Sequence, residues 1–251
     1  MSEIYVGTSA WKKPQWRGAF YPTGLVQSRE LQYVSRQLSS LEINATSRGL
    51  QSPATFSKWR DETPDGFVFS VKALELATRS PHLRNAGRHI DDFFASGIYE
   101  LKDKLGPILW QFPAALEFDG GEVEAFLGLL PPGRHAIEAR NASFVHPEFL
   151  AIARGHNVAI AYTNSSQYPQ IRELTADFAY VRLSSGVGHF EEGYDDQTLD
   201  VWAHTIRDWN RDAFVYFNNP AGELVHTPFN ALRLIERVGR PERDENEGTL
   251  F

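Results

Sequence analysis

Apolar and polar positions along the chain switch repeatedly between two periods. Short runs rich in β-branched and aromatic residues predict eight strands, at Ile4–Ser9, Leu41–Ala45, Phe67–Lys72, Ile108–Phe112, His135–Arg140, Val158–Thr163, Phe178–Leu183 and Ala213–Asn218. Between them apolar residues fall at helical spacing. Leu31, Val34 and Leu38 follow Ser28; Trp202, Ile206 and Trp209 follow Asp195; Leu232, Ile235 and Val238 follow Asn230. Asp91–Leu105 is long and rich in helix formers, and is expected to be one helix. The start of the first strand lies 209 positions before the start of the eighth. Seven intervals of about 30 residues each match a strand, a loop, a helix and a return. Eight such repeats without a Gly-rich dinucleotide fingerprint predict an α/β protein, a single (β/α)8 TIM-like barrel, rather than an open doubly wound sheet. Ser165–Ala176 is short and broken by Pro169, which predicts an irregular sixth unit.

No linker or low-complexity tract divides the body, so residues 1–240 read as one barrel. The stretch from 241 to 251 is charged and aperiodic, and reads as a flexible tail. Loops Thr78–Arg88 and Ser184–Tyr194 both follow strands, which assigns them to the C-terminal face of a barrel, where sites form.

Composition narrows the function classes. Over 251 residues, 42% are hydrophobic and 23% charged, which excludes a disordered or fibrous protein. A net charge of −7 argues against strong direct nucleic-acid binding over the whole surface, while leaving room for a local basic pocket. The absence of cysteine removes disulfides, thiolate metal sites, iron–sulfur clusters and Cys nucleophiles. No apolar run approaches the ~20 residues of a membrane span. The opening Met1-Ser2-Glu3-Ile4 lacks the basic and then apolar regions of a signal peptide. A cytoplasmic protein with no membrane association is expected.

The candidate chemistry sits at the strand ends. Glu42 and Asn44 end the second strand, Lys72 the third and Gln111 the fourth; Glu138 and Arg140 end the fifth, Arg182 the seventh, and Asn218 and Asn219 the eighth. Residues i and i+2 of a strand share a face, so Glu42 pairs with Asn44 and Glu138 with Arg140, while Ile43, Ile137 and Ala139 face the helices. Ionised side chains inside a barrel are costly unless paired, and barrel cores are normally branched and apolar. One reading is a closed ion-pair network that fixes the strands. The other, preferred here, is a site. Three cations against two carboxylates leave an excess of one positive charge, which points to a carboxylate- or phosphate-bearing ligand gripped by Arg140 and Arg182 in bidentate fashion. If Arg182 serves only the ligand, Arg182→Ala should abolish binding and leave the melting temperature nearly unchanged.

These residues also carry a resemblance. Gly7-Thr8-Ser9-Ala10-Trp11, Trp16-Arg17-Gly18, Phe20-Tyr21-Pro22, Glu42-Ile43-Asn44, Phe69-Ser70-Val71-Lys72, Leu105 through Pro113, Glu138-Ala139-Arg140, Tyr180-Val181-Arg182-Leu183 and Tyr216-Phe217-Asn218-Asn219 together resemble the DUF72 (YecE-like) family. The resemblance runs from Gly7 to about Gly239 and implies a TIM-like barrel of unknown function. It names no reaction. Three positions depart from the family pattern: Ser47 and Arg48 replace an aromatic pair, Asn164-Ser165 stand for Asp-Ser, and Ser184-Ser185-Gly186 for His-Gly. The last two remove a carboxylate and an imidazole from the rim, which bears on specificity or activity.

Glu42 and Glu138 are candidates for an acid/base pair, with hydrolase, lyase and isomerase chemistry all open. Lys72 is a candidate Schiff-base lysine, but an ion pair with Glu42 is its expected role. Gln111, Asn44, Asn218 and Asn219 would orient a sugar- or nucleotide-like substrate, and Trp11 would either stack on it or pack the first loop. No cofactor is expected. The eight histidines show no metal-binding spacing, and magnesium held by Glu42 and Glu138 is the one metal reading left open. An alternative class of function lies in the tail. Glu247-Gly248-Thr249-Leu250-Phe251 resembles the peptide by which bacterial DNA-repair proteins dock on the replication sliding clamp, through Leu250 and Phe251, with Glu247 in place of the usual Gln. On that reading the barrel is a non-catalytic adaptor.

Overall fold

Parallel strands buried on both faces need apolar residues outward and a filled interior, and the arrangement of this chain follows from that demand. The computed structural model describes residues 2–184, 193–218 and 225–241. Its strands are β1 (Ile4–Thr8), β2 (Ser40–Ile43), β3 (Val68–Lys72), β4 (Leu105–Phe112), β5 (His135–Ala139), β6 (Ala159–Ile160), β7 (Tyr162–Thr163), β8 (Phe178–Ser184) and β9 (Asp212–Asn218). All pairings are parallel, in the order β6-β5-β4-β3-β2-β1-β9-β8-β7. β6 pairs with β5 and β7 pairs with β8, with Ala161 alone between them. The two fragments therefore occupy one place in the ring, and the sheet is a nearly closed eight-position barrel. The expected sixth strand is present but broken. After it, residues 164 to 177 form no helix, in keeping with an irregular sixth unit.

Among the described residues seven α-helices cover the outside: α1 (Glu30–Gln37), α2 (Pro53–Asp61), α3 (Gly87–Ala95), α4 (Gly120–Leu127), α5 (Pro147–Gly155), α6 (Asp196–Asp208) and α7 (Thr227–Val238). Polar caps start several of them. Ser52, Asp119 and Asp195 each accept a hydrogen bond from the backbone N–H three residues on, satisfying a donor that a helix start leaves free. The single helix expected over Asp91–Leu105 is divided. α3 ends at Ala95, and a 3-10 segment runs from Ile98 to Lys104. Gly97 makes the break, with φ +102, and a Cβ there would lie 2.7 Å from Pro53. The loop expected over Thr78–Arg88 contains a 3-10 turn, Leu83–Asn85, and runs into α3 at Gly87.

The strands sort their side chains onto two faces. Val6, Leu41, Ile43, Val71, Trp110, Ile137, Val181 and Val215 point outward into the layer shared with the helices. Tyr5, Leu109, Ala136, Ala159, Phe178, Tyr180, Phe214 and Tyr216 fill the interior. The interior grows more polar toward the C-terminal ends. Tyr5 stacks on Phe214 near the bottom, with ring centroids 5.0 Å apart. Above them the Tyr216 hydroxyl meets Ser40 Oγ at 2.7 Å and Ser70 Oγ at 2.6 Å. The charged residues come next, at the top.

Candidate functional site at the barrel mouth

The period of two that aligned Ser40, Ser70, Tyr180 and Tyr216 carries Glu42, Lys72, Gln111, Glu138, Arg182 and Asn218 into the interior one step higher. These residues, far apart in the chain, meet in one hydrogen-bonded assembly. Its centre is Arg182. The guanidinium donates from Nε to Glu42 Oε2 at 3.1 Å and from Nη2 to Glu42 Oε1 at 2.9 Å, and from Nη1 to Glu138 Oε2. Glu42 accepts two more bonds, from Tyr180 OH at 2.7 Å and Asn44 Nδ2 at 3.1 Å. Glu138 Oε1 accepts from Gln111 Nε2 at 2.9 Å and Arg140 Nε at 2.7 Å. Lys72 Nζ donates to Gln111 Oε1 at 2.8 Å. Asn218 accepts from Ser9 Oγ at 2.7 Å.

This geometry separates the residues into a sealed group and an open one. Glu42, Glu138 and Arg182 are 0%, 3% and 4% exposed. Glu42 accepts four hydrogen bonds, the full capacity of a carboxylate. Burial alone would raise the Glu138 carboxyl, but Arg182 and Arg140 outweigh it and hold the group down at about 2. An acid that stays ionised at every physiological pH is a weak proton donor and a weak base. The acid/base pair expected of Glu42 and Glu138 thus finds both carboxylates engaged by arginine. The bidentate anion grip expected of Arg182 is likewise filled, by two protein carboxylates. A magnesium ion between Glu42 and Glu138 would have to displace that guanidinium.

Lys72 differs, and its expected ion pair with Glu42 is not formed. Among the described residues no carboxylate oxygen lies within 4.0 Å of its ammonium, because Arg182 takes both oxygens of Glu42. Its one hydrogen bond among the described residues goes to a neutral amide. Burial, and then the nearby Arg182 charge, push the Lys72 pKa below its ordinary value. Arg140 uses only Nε on Glu138; its guanidinium lies 4.4 Å from the Tyr168 ring centroid, and its two Nη groups have no protein acceptor among the described residues.

Above the network lies a cavity of about 850 Å³. Lys12, Lys13, Arg48, Lys72, Arg140 and Arg182 line it, against one lining carboxylate, Glu75, among the described residues. Counting Glu42 and Glu138 against these six cations as well still leaves an excess of three positive charges. Asn44, Gln111 and Asn218 line the same space. Lys12, Lys13 and Arg48 were not singled out from sequence as site residues. Their signal was positional: they follow the ends of β1 and β2, on the face where barrel sites form. Trp11 is buried at 6% exposure, meets Trp59 edge-on at 5.5 Å, and borders an adjoining cavity of about 770 Å³. It packs the first loop. Asn219, residues 185–192 of the loop expected over Ser184–Tyr194, and the tail with Leu250 and Phe251 lie outside the described residues. Among the described residues no three His, Asp or Glu gather as a metal-holding group, and no helix is long and apolar enough to cross a membrane.

Fold and site together define a TIM-like parallel barrel with a cation-rich C-terminal mouth. The model of the protein family of unknown function DUF72 matches residues 5–249, and the chain belongs to that family. The UPF0759 protein YecE of Escherichia coli (strain K12) is 25% identical over 99% of this chain and 100% of its own length. The UPF0759 protein YunF of Bacillus subtilis (strain 168) is 25% identical over 87% of this chain and 89% of its own. Two solved structures share the fold. A DUF72 family protein from Enterococcus faecalis V583 superposes with a TM-score of 0.73 at 17% identity, covering 94% of this chain and 97% of that one. A DUF72 family protein from Thermotoga maritima MSB8 gives 0.70 at 22% identity, covering 93% and 98%.

Proposed function

We propose that the barrel mouth binds a small molecule bearing a phosphate or carboxylate, and that the chain acts on it as an enzyme. The observation that carries this reading is Lys72. A half-buried ammonium whose single partner among the described residues is neutral, beside two arginines and open to a cavity, is an unfavourable arrangement until an anion joins it. Arg140 offers two NH2 groups, unused among the described residues, on the same wall, in the planar form that suits carboxylate and phosphate. The amides of Asn44, Gln111 and Asn218 would orient the rest of the ligand. Proton transfer in this reading falls to Lys72 rather than to the carboxylates. Its burial lowers the cost of losing a proton, whereas Glu138 is held ionised.

Inorganic phosphate is the first probe. At a concentration one hundred times its dissociation constant it should stabilise the protein by ~2.7 kcal/mol, or raise Tm by roughly 5–10 °C. Lys72→Met together with Arg140→Gln should remove that rise. An equal rise in the double variant, or none in the wild type, overturns the reading.

A further inference from the structure

We propose that Lys72 is a nucleophile that forms an imine with a carbonyl compound carrying an anionic group, such as a 2-oxo acid or a phosphorylated aldehyde. This rests on the anion-site reading above and adds the bond that is made. Three observations lead to it. Lys72 ends β3 and lines the cavity, with no carboxylate of the described residues within 4.0 Å of its Nζ. A lysine that serves only to bridge strands would be paired, as Arg182 is. Next, Gln111 holds the amine through its carbonyl oxygen at 2.8 Å while its amide nitrogen is fixed on Glu138 at 2.9 Å. That clamp orients the nitrogen without supplying a charge that would keep it protonated. Finally, Arg140 is tied to the same carboxylate through Nε, with both Nη groups unused among the described residues. The chain Lys72–Gln111–Glu138–Arg140 therefore sets a nucleophile and an anion anchor on adjoining positions of one wall.

Burial, then Arg182 and Arg140, favour the reactive form and outweigh the opposing pull of Glu42 and Glu138. A lysine desolvated beside other positive charges gives up its proton more readily, which is how amines are activated for imine chemistry. In the step itself, the Lys72 ammonium gives one proton to water, and the neutral nitrogen adds to the carbonyl carbon; the C=O π pair moves to oxygen, which takes the proton the attacking nitrogen sheds. The first proton returns to the carbinolamine hydroxyl, which leaves as water while the nitrogen lone pair forms C=N. One ammonium and one carbonyl give one iminium and one water, with no oxidant or reductant. The iminium carries the positive charge the ammonium had, so the charge balance with Glu42 and Glu138 is preserved.

The test uses the full chain with glyoxylate and cyanoborohydride at neutral pH. The hydride reduces an imine to a stable secondary amine, and peptide mapping by mass spectrometry locates the carboxymethyl adduct. Lys72 should be labelled at least ~10-fold faster than any other lysine. Excess phosphate should suppress that labelling. Arg140→Gln should slow labelling by glyoxylate by a larger factor than labelling by uncharged formaldehyde, because only glyoxylate loses an anion anchor. If phosphate raises Tm but Lys72 reacts no faster than the other lysines, the imine proposal falls and the anion site stands. If neither effect is seen, both fall. Rapid labelling of Lys72 that phosphate does not suppress overturns the anion-directed form proposed here.

Discussion

Replacing Arg182 with methionine tests whether the buried network is held by that one cation. The change keeps an unbranched side chain of similar length and removes every donor. Glu42 and Glu138, at 0% and 3% exposure, would lose three charge-assisted hydrogen bonds between them. Breaking a buried pair by removing one partner costs ~3–5 kcal/mol. The direction agrees at Glu138: burial alone would raise its carboxyl, yet Arg182 and then Arg140 hold it at about 2 against an ordinary 4.5. For a chain of this size the loss lowers Tm by roughly 6–20 °C. The pH dependence identifies the cause. In the wild type the folded-state pKa of Glu138 is depressed, so its contribution is complete above about 4.5 and fades as pH falls from there toward about 2. In Arg182→Met the buried Glu138 loses the cation that most opposes its protonation, so its pKa rises and lowering the pH from 7 to 5 should narrow the difference between the two proteins. Circular dichroism melts at pH 7, 5 and 3 read both effects. A variant within ~2 °C of wild type at pH 7 refutes the argument and restores the view that Arg182 serves a ligand alone.

Other expectations follow from single contacts. Adding Glu42→Gln and Glu138→Gln to Arg182→Met should recover most of the lost stability, since no uncompensated charge remains; chemical denaturation checks this. Gly7→Ala should cost ~3 kcal/mol or more, or yield insoluble protein, because a Cβ would lie 1.8 Å from the Ser40 carbonyl oxygen across the β1–β2 pair; soluble yield and urea midpoint decide. Phosphate affinity should fall as pH rises through the lowered pKa of Lys72, and Lys72→Arg should extend binding to higher pH; titration calorimetry from pH 7 to 10 measures it. His135, which accepts from Trp110 Nε1 at 3.1 Å, should remain neutral below pH 6.5, because burial lowers its pKa; NMR titration of the imidazole tests this.

The legible part of this molecule was the part governed by period. Apolar runs about 30 residues apart marked every strand of the ring, because each must be buried on its outer face whatever the site does. The two-residue alternation then placed Glu42, Asn44, Glu138 and Arg140 inside, where the structure has them. Partner choice was not legible. Lys72 and Arg182 are both cations at strand ends, and only the register of β2, β5 and β8 decides that the guanidinium reaches both carboxylates while the ammonium meets an amide. Nor did period reach the loops. Lys12, Lys13 and Arg48 turn toward the mouth through irregular backbone, and Gly97 interrupts a stretch whose composition reads as continuous helix.

The division of labour among the interior charges bears on how such a site is kept. A barrel that must carry cations at its mouth cannot also let them repel one another across a dry interior. Here Arg182 is neutralised at once by two buried carboxylates, which lock β2, β5 and β8 together below the cavity. That rigid floor fixes Gln111 and Arg140 through Glu138, and through Gln111 it fixes Lys72. The floor therefore positions the open cations without cancelling them. A change at Glu138 should then act on the ligand through two residues at once. Glu138→Gln would keep a side chain of the same shape, yet free Arg140 Nε and turn an acceptor of Gln111 into an ambiguous partner. Its effect on phosphate affinity should exceed that of Asn218→Ala, although Glu138 is almost entirely buried and Asn218 borders the cavity. The reverse ranking would mean that the floor stabilises the barrel without organising what lies above it.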